Sequence, residues 1–363
     1  MKKTNWTYNI KTNLSTIIFV SFLCVTSIVV KAESTSSNTK EVSEHLTTIT
    51  PAKALKRPHP KYPITAARNR SEGWVSLSYV INEQGKVKDV IVMDSAGDRS
   101  FRRSAKNALS RWSFTPAKNQ QNESITSCKN SVRLDFRMSN GGASRKFVKL
   151  LKASFDALKE KNEVELEKYI TKMDQYKKKN IADLAWSEYI KMLAAILKGD
   201  EEQAYAKAQK SAQSISTFSE SASLDILQNL IRFQISRQLY HNVKQNYKKL
   251  DEYNSEYAKS VKVFYQPYIE EINAFIETDK HISVKGGITE SYWHHQLVRS
   301  SFSIENIKGE LYELEVRCDK KHSSFSIEAD DVFTIPKSWG ECSLFIKGDK
   351  NATFDLFEIS AKV

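Results

Sequence analysis

The residues able to carry metal, redox or nucleophilic chemistry are sparse in this 363-residue chain: four cysteines and seven histidines. His294 and His295 are adjacent in a segment that reads as a strand. Their side chains therefore point to opposite faces, and they read as surface histidines rather than a metal pair. No Cys-x-x-Cys, Gly-x-Ser-x-Gly, phosphate-binding glycine loop or His-Glu-x-x-His occurs. No catalytic residue, metal or cofactor is expected, and the chain does not read as an enzyme. Cys24 follows Phe22 and Leu23, which is not the small-residue setting of a lipidated cysteine. Cys318 and Cys342 share one C-terminal segment and are expected to pair. A loop of about 25 residues closed this way contributes about 3.5 kcal/mol in the chain-entropy account. Cys128 is then left over and reads as a buried or shielded thiol, with an intermolecular disulfide as the alternative.

Charge separates the chain into parts. Residues 51–138 hold 17 Lys/Arg against 7 Asp/Glu, whereas residues 139–363 are balanced at 33 each. The basic stretch favours anionic partners: acidic protein surfaces, envelope polymers or lipid headgroups. Export of the chain would argue against nucleic acid.

Local patterns within the basic stretch define its elements. Val75, Leu77, Tyr79 and Ile81 alternate with Ser76 and Ser78, giving a half-buried strand with a wet face. Asn82-Glu83-Gln84-Gly85 turns the chain into a second strand over Lys86–Asp94, making a hairpin. Asp98 can cap a helix whose buried stripe is Phe101, Ala105, Ala108, Leu109 and Trp112, and Pro116 stops it. Val132, Leu134, Phe136 and Met138 alternate with Arg133, Asp135 and Arg137, a third strand with a solvated face. Pro63 opens a short first helix over Ile64–Arg70. Trp112 and Phe114 read as core; Tyr62 reads equally as packing or contact.

Tyr62-Pro63, Gly73-x-Val75, Gly85-x-Val87 and Trp112-x-Phe114-x-Pro116-Ala117, in this order, resemble the C-terminal domain of the TonB energy-transducer family. The resemblance covers about 80 residues. It implies contact with outer-membrane receptors by strand addition beside the last strand, Ser131–Met138, and next to Lys61–Pro63. The residues so implicated are Lys61, Tyr62, Pro63, Ser131, Arg133, Asp135 and Arg137. It also implies a link to inner-membrane motor proteins of the ExbB/ExbD kind if a membrane anchor is retained. Edge strands offer unpaired backbone groups to such partners, and charges beside them blunt nonspecific pairing.

The remainder is read as an α+β multidomain chain: the three-stranded antiparallel sheet with two helices over 58–140, a helical-hairpin array over 143–280, and a small β-sandwich over 281–363. In the array, blocks anchored on Leu158, Leu197 and Ile235 repeat every 38–39 residues, a weakly tetratricopeptide-like pattern. About six strands are expected in the sandwich, with Trp293–Ile304 as one of them.

Lys2, Lys3 and Lys11 precede the apolar run Ile17–Val30, and Val30-Lys31-Ala32 fits a cleavage site. Residues 1–32 are thus a signal peptide sending the chain to the periplasm or, alternatively, a single inner-membrane anchor. Residues 33–57 read as a disordered tether spanning at most roughly 80–90 Å. Two functions follow: a receptor-binding protein of energy-coupled transport, or a soluble periplasmic scaffold or adaptor.

Overall fold

A computed structural model describes residues 49–138, 141–327 and 331–360. The segment expected to be a signal peptide or anchor, and the expected tether up to residue 48, lie outside these. Among the described residues, no helix is long and apolar enough to cross a membrane.

The basic stretch folds as β1 (Lys53–Lys56), α1 (Ile64–Arg68), β2 (Gly73–Ile81), β3 (Val87–Ala96), α2 (Ser100–Leu109), β4 (Ser113–Thr115), β5 (Ala117–Lys118), β6 (Ser124–Ile125) and β7 (Ser127–Phe136). The main sheet is antiparallel, in the order β3-β2-β7. Gly85 holds the hairpin turn at φ +71°, and a Cβ there would collide with the Phe114 carbonyl oxygen. The alternating face of β2 packs on Phe101, Leu109, Trp112 and Phe114, as its period-two pattern requires. Phe101 stacks on Phe136 with ring centroids 4.3 Å apart. Lys53–Lys56 corrects the expected tether: it pairs with β4, and Thr50 bridges Lys118. Lys-Ala-Leu-Lys carries no strand period of its own, so this strand depends on a distant partner.

The array contains α3 (Arg145–Lys159), α4 (Glu163–Gln175), α5 (Ile181–Leu197), α6 (Glu201–Ala212), α7 (Glu220–Ser236), α8 (Tyr240–Lys249) and α9 (Glu256–Ile276). Asn162, Asn180, Asp200, Ser219 and Ser255 each accept a hydrogen bond from a first-turn backbone N–H and so fix where α4, α5, α6, α7 and α9 begin. The 38–39-residue blocks correspond to three consecutive helical pairs, α3/α4, α5/α6 and α7/α8.

The last region forms two antiparallel four-stranded sheets from β8 (Ile282–Gly287), β9 (Tyr292–Gln296), β10 (Ser301–Lys308), β11 (Leu311–Cys318), β12 (His322–Phe325), β13 (Val332–Thr334), β14 (Cys342–Gly348) and β15 (Thr353–Ile359). Their orders are β13-β10-β15-β8 and β12-β11-β14-β9. Trp293–Ile304 is therefore two strands on different sheets rather than one. The corner between them is held by Glu358, whose carboxylate accepts the N–H groups of Val298 and Arg299, each at 2.8 Å. Cys318 and Cys342 face each other across β11 and β14 and form the expected disulfide.

Candidate functional site: an open sheet edge with a covered face

Among the described residues, β7 pairs with β2 alone, so its other edge is open. Burial is uneven across the pair. Val75 and Leu77 on β2 are fully buried, whereas their partners Leu134 and Val132 on β7 are only half-buried. The core side of the sheet is thus unfinished at this edge. Backbone groups and apolar side chains both await a neighbour there.

Tyr62 is half-buried and packs against the core. Its hydroxyl donates to the Ser71 carbonyl at 2.6 Å, and its ring meets Phe101 and Phe136 edge-on. Burial, with Glu72 and Asp98 nearby, pushes its phenol up to about 12. Pro63 precedes α1 at φ −65°. Lys61 is exposed, while its carbonyl accepts the Ser104 hydroxyl of α2. Ser131 is exposed and lies opposite Ser78.

Arg133, Asp135 and Arg137 share the other face of β7, where the Asp135 carboxylate takes Arg133 Nε at 2.7 Å and Arg137 Nη2 at 2.8 Å. This face is not simply wet, which corrects the sequence reading. Trp74, on the same side of β2, is buried under the Arg133 guanidinium, 4.7 Å from the ring centroid. Arg133 also donates to Ser214 beyond α6, at 3.2 Å. A cleft of about 250 Å³ lies here, lined by Trp74, Arg99, Arg102, Glu188 and Lys210 among others. At the other end of the sheet, Ser78 is buried beneath Arg317 of β11.

Three side chains tie the regions together. Glu72 accepts the N–H groups of Met138 (2.8 Å) and Ile181 (3.2 Å), joining the sheet to α5. Arg299 donates to the carbonyls of Phe275, Ile276, Thr278 and Lys280, closing the end of α9 onto the sandwich. Arg317 is buried and donates to Glu315 (2.7 Å), Ser78 (3.0 Å) and the Asp89 carbonyl (2.9 Å). Sequence reasoning missed all three. In β11, the alternation of Glu313, Glu315 and Arg317 looks like a solvated face and gives no sign of a partner.

Asp89, Glu315 and His322 bring possible ligand atoms within 4.8 Å of one another. The arrangement is better explained as an ion-pair network. Arg317 Nε and His322 Nε2 both hold Glu315 Oε1 at 2.7 Å, and Lys347 approaches the other oxygen at 3.6 Å. A cation there would sit against two fixed positive charges. His295 is likewise not a surface group: it is buried, with Nε2 2.8 Å from Glu358. Cys128 is a buried thiol, raised to about 12 by burial.

Burial by itself would raise the Glu315 carboxyl, but hydrogen bonds from His322 and Arg317 outweigh it and hold the group at about 2. The folded value lies below the ordinary carboxyl range, so this stabilisation is complete above about pH 4.5 and is lost as pH falls toward 2. The urea midpoint of the wild type should fall between pH 5 and pH 3, and Glu315→Gln should flatten that slope. Parallel slopes would remove Glu315 as its source.

Residues 58–138 match the family described as Gram-negative bacterial TonB protein C-terminal. Protein TonB of Escherichia coli K12 is 35% identical over 66 residues, which is 18% of this chain and 28% of that protein. Protein tonB2 of Pseudomonas aeruginosa is 38% identical over 64 residues, 18% of this chain and 24% of its own. The match therefore spans about a quarter of these curated relatives' length. A solved structure titled as the Pseudomonas aeruginosa TonB C-terminal domain is similar over 25% of this chain and 89% of its own, at 24% identity and a TM-score of 0.23.

Proposed function

With a TonB C-terminal domain at residues 58–138 as the premise, we propose that this chain is an envelope protein that binds an extended segment of an outer-membrane receptor by strand addition to β7. One observation carries the reading: β7 is open on one side, and Val132 and Leu134 on its core face are left half-buried. An added strand would complete the backbone ladder and cover both side chains. Lys61, Pro63, Ser131, Arg133, Asp135 and Arg137 flank that position, with Tyr62 supporting it from the core. In this reading the contact serves energy-coupled transport across the outer membrane. The motor link would come from motor proteins of the ExbB/ExbD kind engaged by a retained N-terminal anchor, or from a partner that supplies it.

A second reading, a soluble periplasmic adaptor, is favoured by the covered face of the sheet. The array and the sandwich pack on this domain through Glu72, Arg133 and Arg317, so the TonB-like unit also serves as a mounting for two further modules.

Proline substitutions at successive positions from Ser131 to Asp135 test strand addition. Successive N–H groups of a strand point to alternate edges. Substitutions whose N–H faces outward should abolish binding of a receptor-derived peptide and leave the urea midpoint near wild type. Those whose N–H faces β2 should lower the midpoint. Binding that survives every fold-preserving substitution would sink strand addition at β7. Membrane fractionation of the native protein separates the two readings: retention in the inner membrane favours the transport role, a freely soluble product the adaptor.

A further inference from the structure

Part of the excess positive charge of the TonB-like domain lies on a strap that runs beside α2. Residues 53–64 form a strap along α2. The Arg57 guanidinium lies 5.0 Å from the Trp112 ring centroid, Trp112 Nε1 donates to the Pro58 carbonyl at 3.1 Å, and Ser104 of α2 donates to the Lys61 carbonyl. Strap and helix therefore form one continuous surface. Lys53, Lys56, Arg57 and Lys61 on the strap, Arg103 on α2 and Arg111 in the turn just after it are all exposed. None of the six makes an ion pair among the described residues, whereas cations on the covered face, Arg102, Lys129, Arg133 and Arg137, do.

Two large apolar side chains stand out on this strap. Leu55 is 68% exposed between Lys53 and Lys56, and Ile64 is 70% exposed three residues after Lys61. An acidic protein surface would match the charge and leave both apolar groups unexplained. A lipid surface accounts for both, because phosphate headgroups attract the cations while short apolar side chains enter the headgroup–acyl boundary. We propose that the strap and the outer side of α2 form a docking face for an anionic phospholipid membrane. The array and sandwich cover the opposite side of the sheet; the sandwich also meets one flank of α2, where Arg102 pairs with Glu290 and Arg103 borders a cleft shared with Glu290 and Tyr292, and the strap lies on the other flank. The proposal does not depend on strand addition, since it uses none of the β7 edge.

The test is sedimentation of the full chain with vesicles of phosphatidylcholine alone or with about one-third phosphatidylglycerol. Binding is expected only to the anionic vesicles and should fall steeply between 50 and 300 mM salt. Arg103→Glu with Arg111→Glu should weaken it at least tenfold. Lys149→Glu with Lys152→Glu, an equal charge change on exposed positions of α3, should leave it within twofold. Leu55→Asp with Ile64→Asp should also weaken it, with the circular dichroism of each variant showing a retained fold. No binding to anionic vesicles at 50 mM salt overturns the proposal, as does equal binding to neutral ones. Equal loss in both charge variants would reduce it to net charge. If polyglutamate of matched charge displaces the vesicles completely, or the Leu55/Ile64 variant binds as wild type, the surface is a general polyanion site and the membrane assignment falls.

Discussion

Arg317→Ala should lower unfolding stability by about 3–5 kcal/mol, the cost of breaking a buried ion pair from one side. Arg317 is 1% exposed, and its guanidinium is fully engaged between the sandwich and the TonB-like sheet. One edge bonds Glu315, the others reach Ser78 Oγ and the Asp89 carbonyl, and the plane lies 4.5 Å from the Phe345 ring centroid. Removing it leaves the Glu315 carboxylate buried with Oε2 already lacking a hydrogen bond. It also strands the Ser78 hydroxyl at the interface. His322 and Lys347 remain near Glu315 and keep the loss from growing further. If the unpaired carboxylate dominates, Glu315→Gln in the Arg317→Ala background should recover more than half of the loss, a coupling that independent sites do not show. Urea unfolding of the two single variants and the double measures it. A single-variant loss below about 1 kcal/mol would mean that Arg317 does not hold the sandwich to the sheet.

That contact also shows where the sequence stopped being informative. The hairpin, α2, β7 and the paired helices were legible because each follows from a period or a turn residue within about a dozen positions. Gly85 and the Phe101–Leu109 stripe are examples. The disulfide was legible because its cysteines sit in one segment. The covered face was not legible, because side chains that meet another module through polar contacts have the same composition as side chains that meet water. Ser76, Ser78 and Arg133 read as a wet face for this reason. The corner between β9 and β10 contains no Gly or Pro; the Glu358 carboxylate, about 60 positions away, takes the two N–H groups that a turn residue would otherwise have managed. The open edge itself was legible from the resemblance. Its unfinished packing at Val132 and Leu134 required the fold.

Replacing Cys318 and Cys342 together by Ser should lower stability by about 3.5 kcal/mol, since the disulfide closes a separation of 24 residues in the unfolded chain. The way the loss is distributed is the more informative part. Cys318 directly follows Arg317 on β11, and Cys342 is paired opposite it on β14. A sandwich loosened at this point loosens the hold on Ser78 and Asp89, and through Arg299 it is also tied to the end of α9. The three regions should therefore unfold together in the wild type and in the double variant. Far-UV circular dichroism reports mostly the array helices, and tryptophan emission draws on Trp74 and Trp112 in the TonB-like domain, on Trp186 in the array and on Trp293 and Trp339 in the sandwich. The two transitions should coincide, with the midpoint moved down. Wild type treated with a reductant should follow the double variant. A separate early fluorescence transition that is lost when Trp293 and Trp339 are replaced by Phe would show that the sandwich is an independent unit, and that Arg317 and Arg299 are local contacts rather than the joints of one cooperative structure.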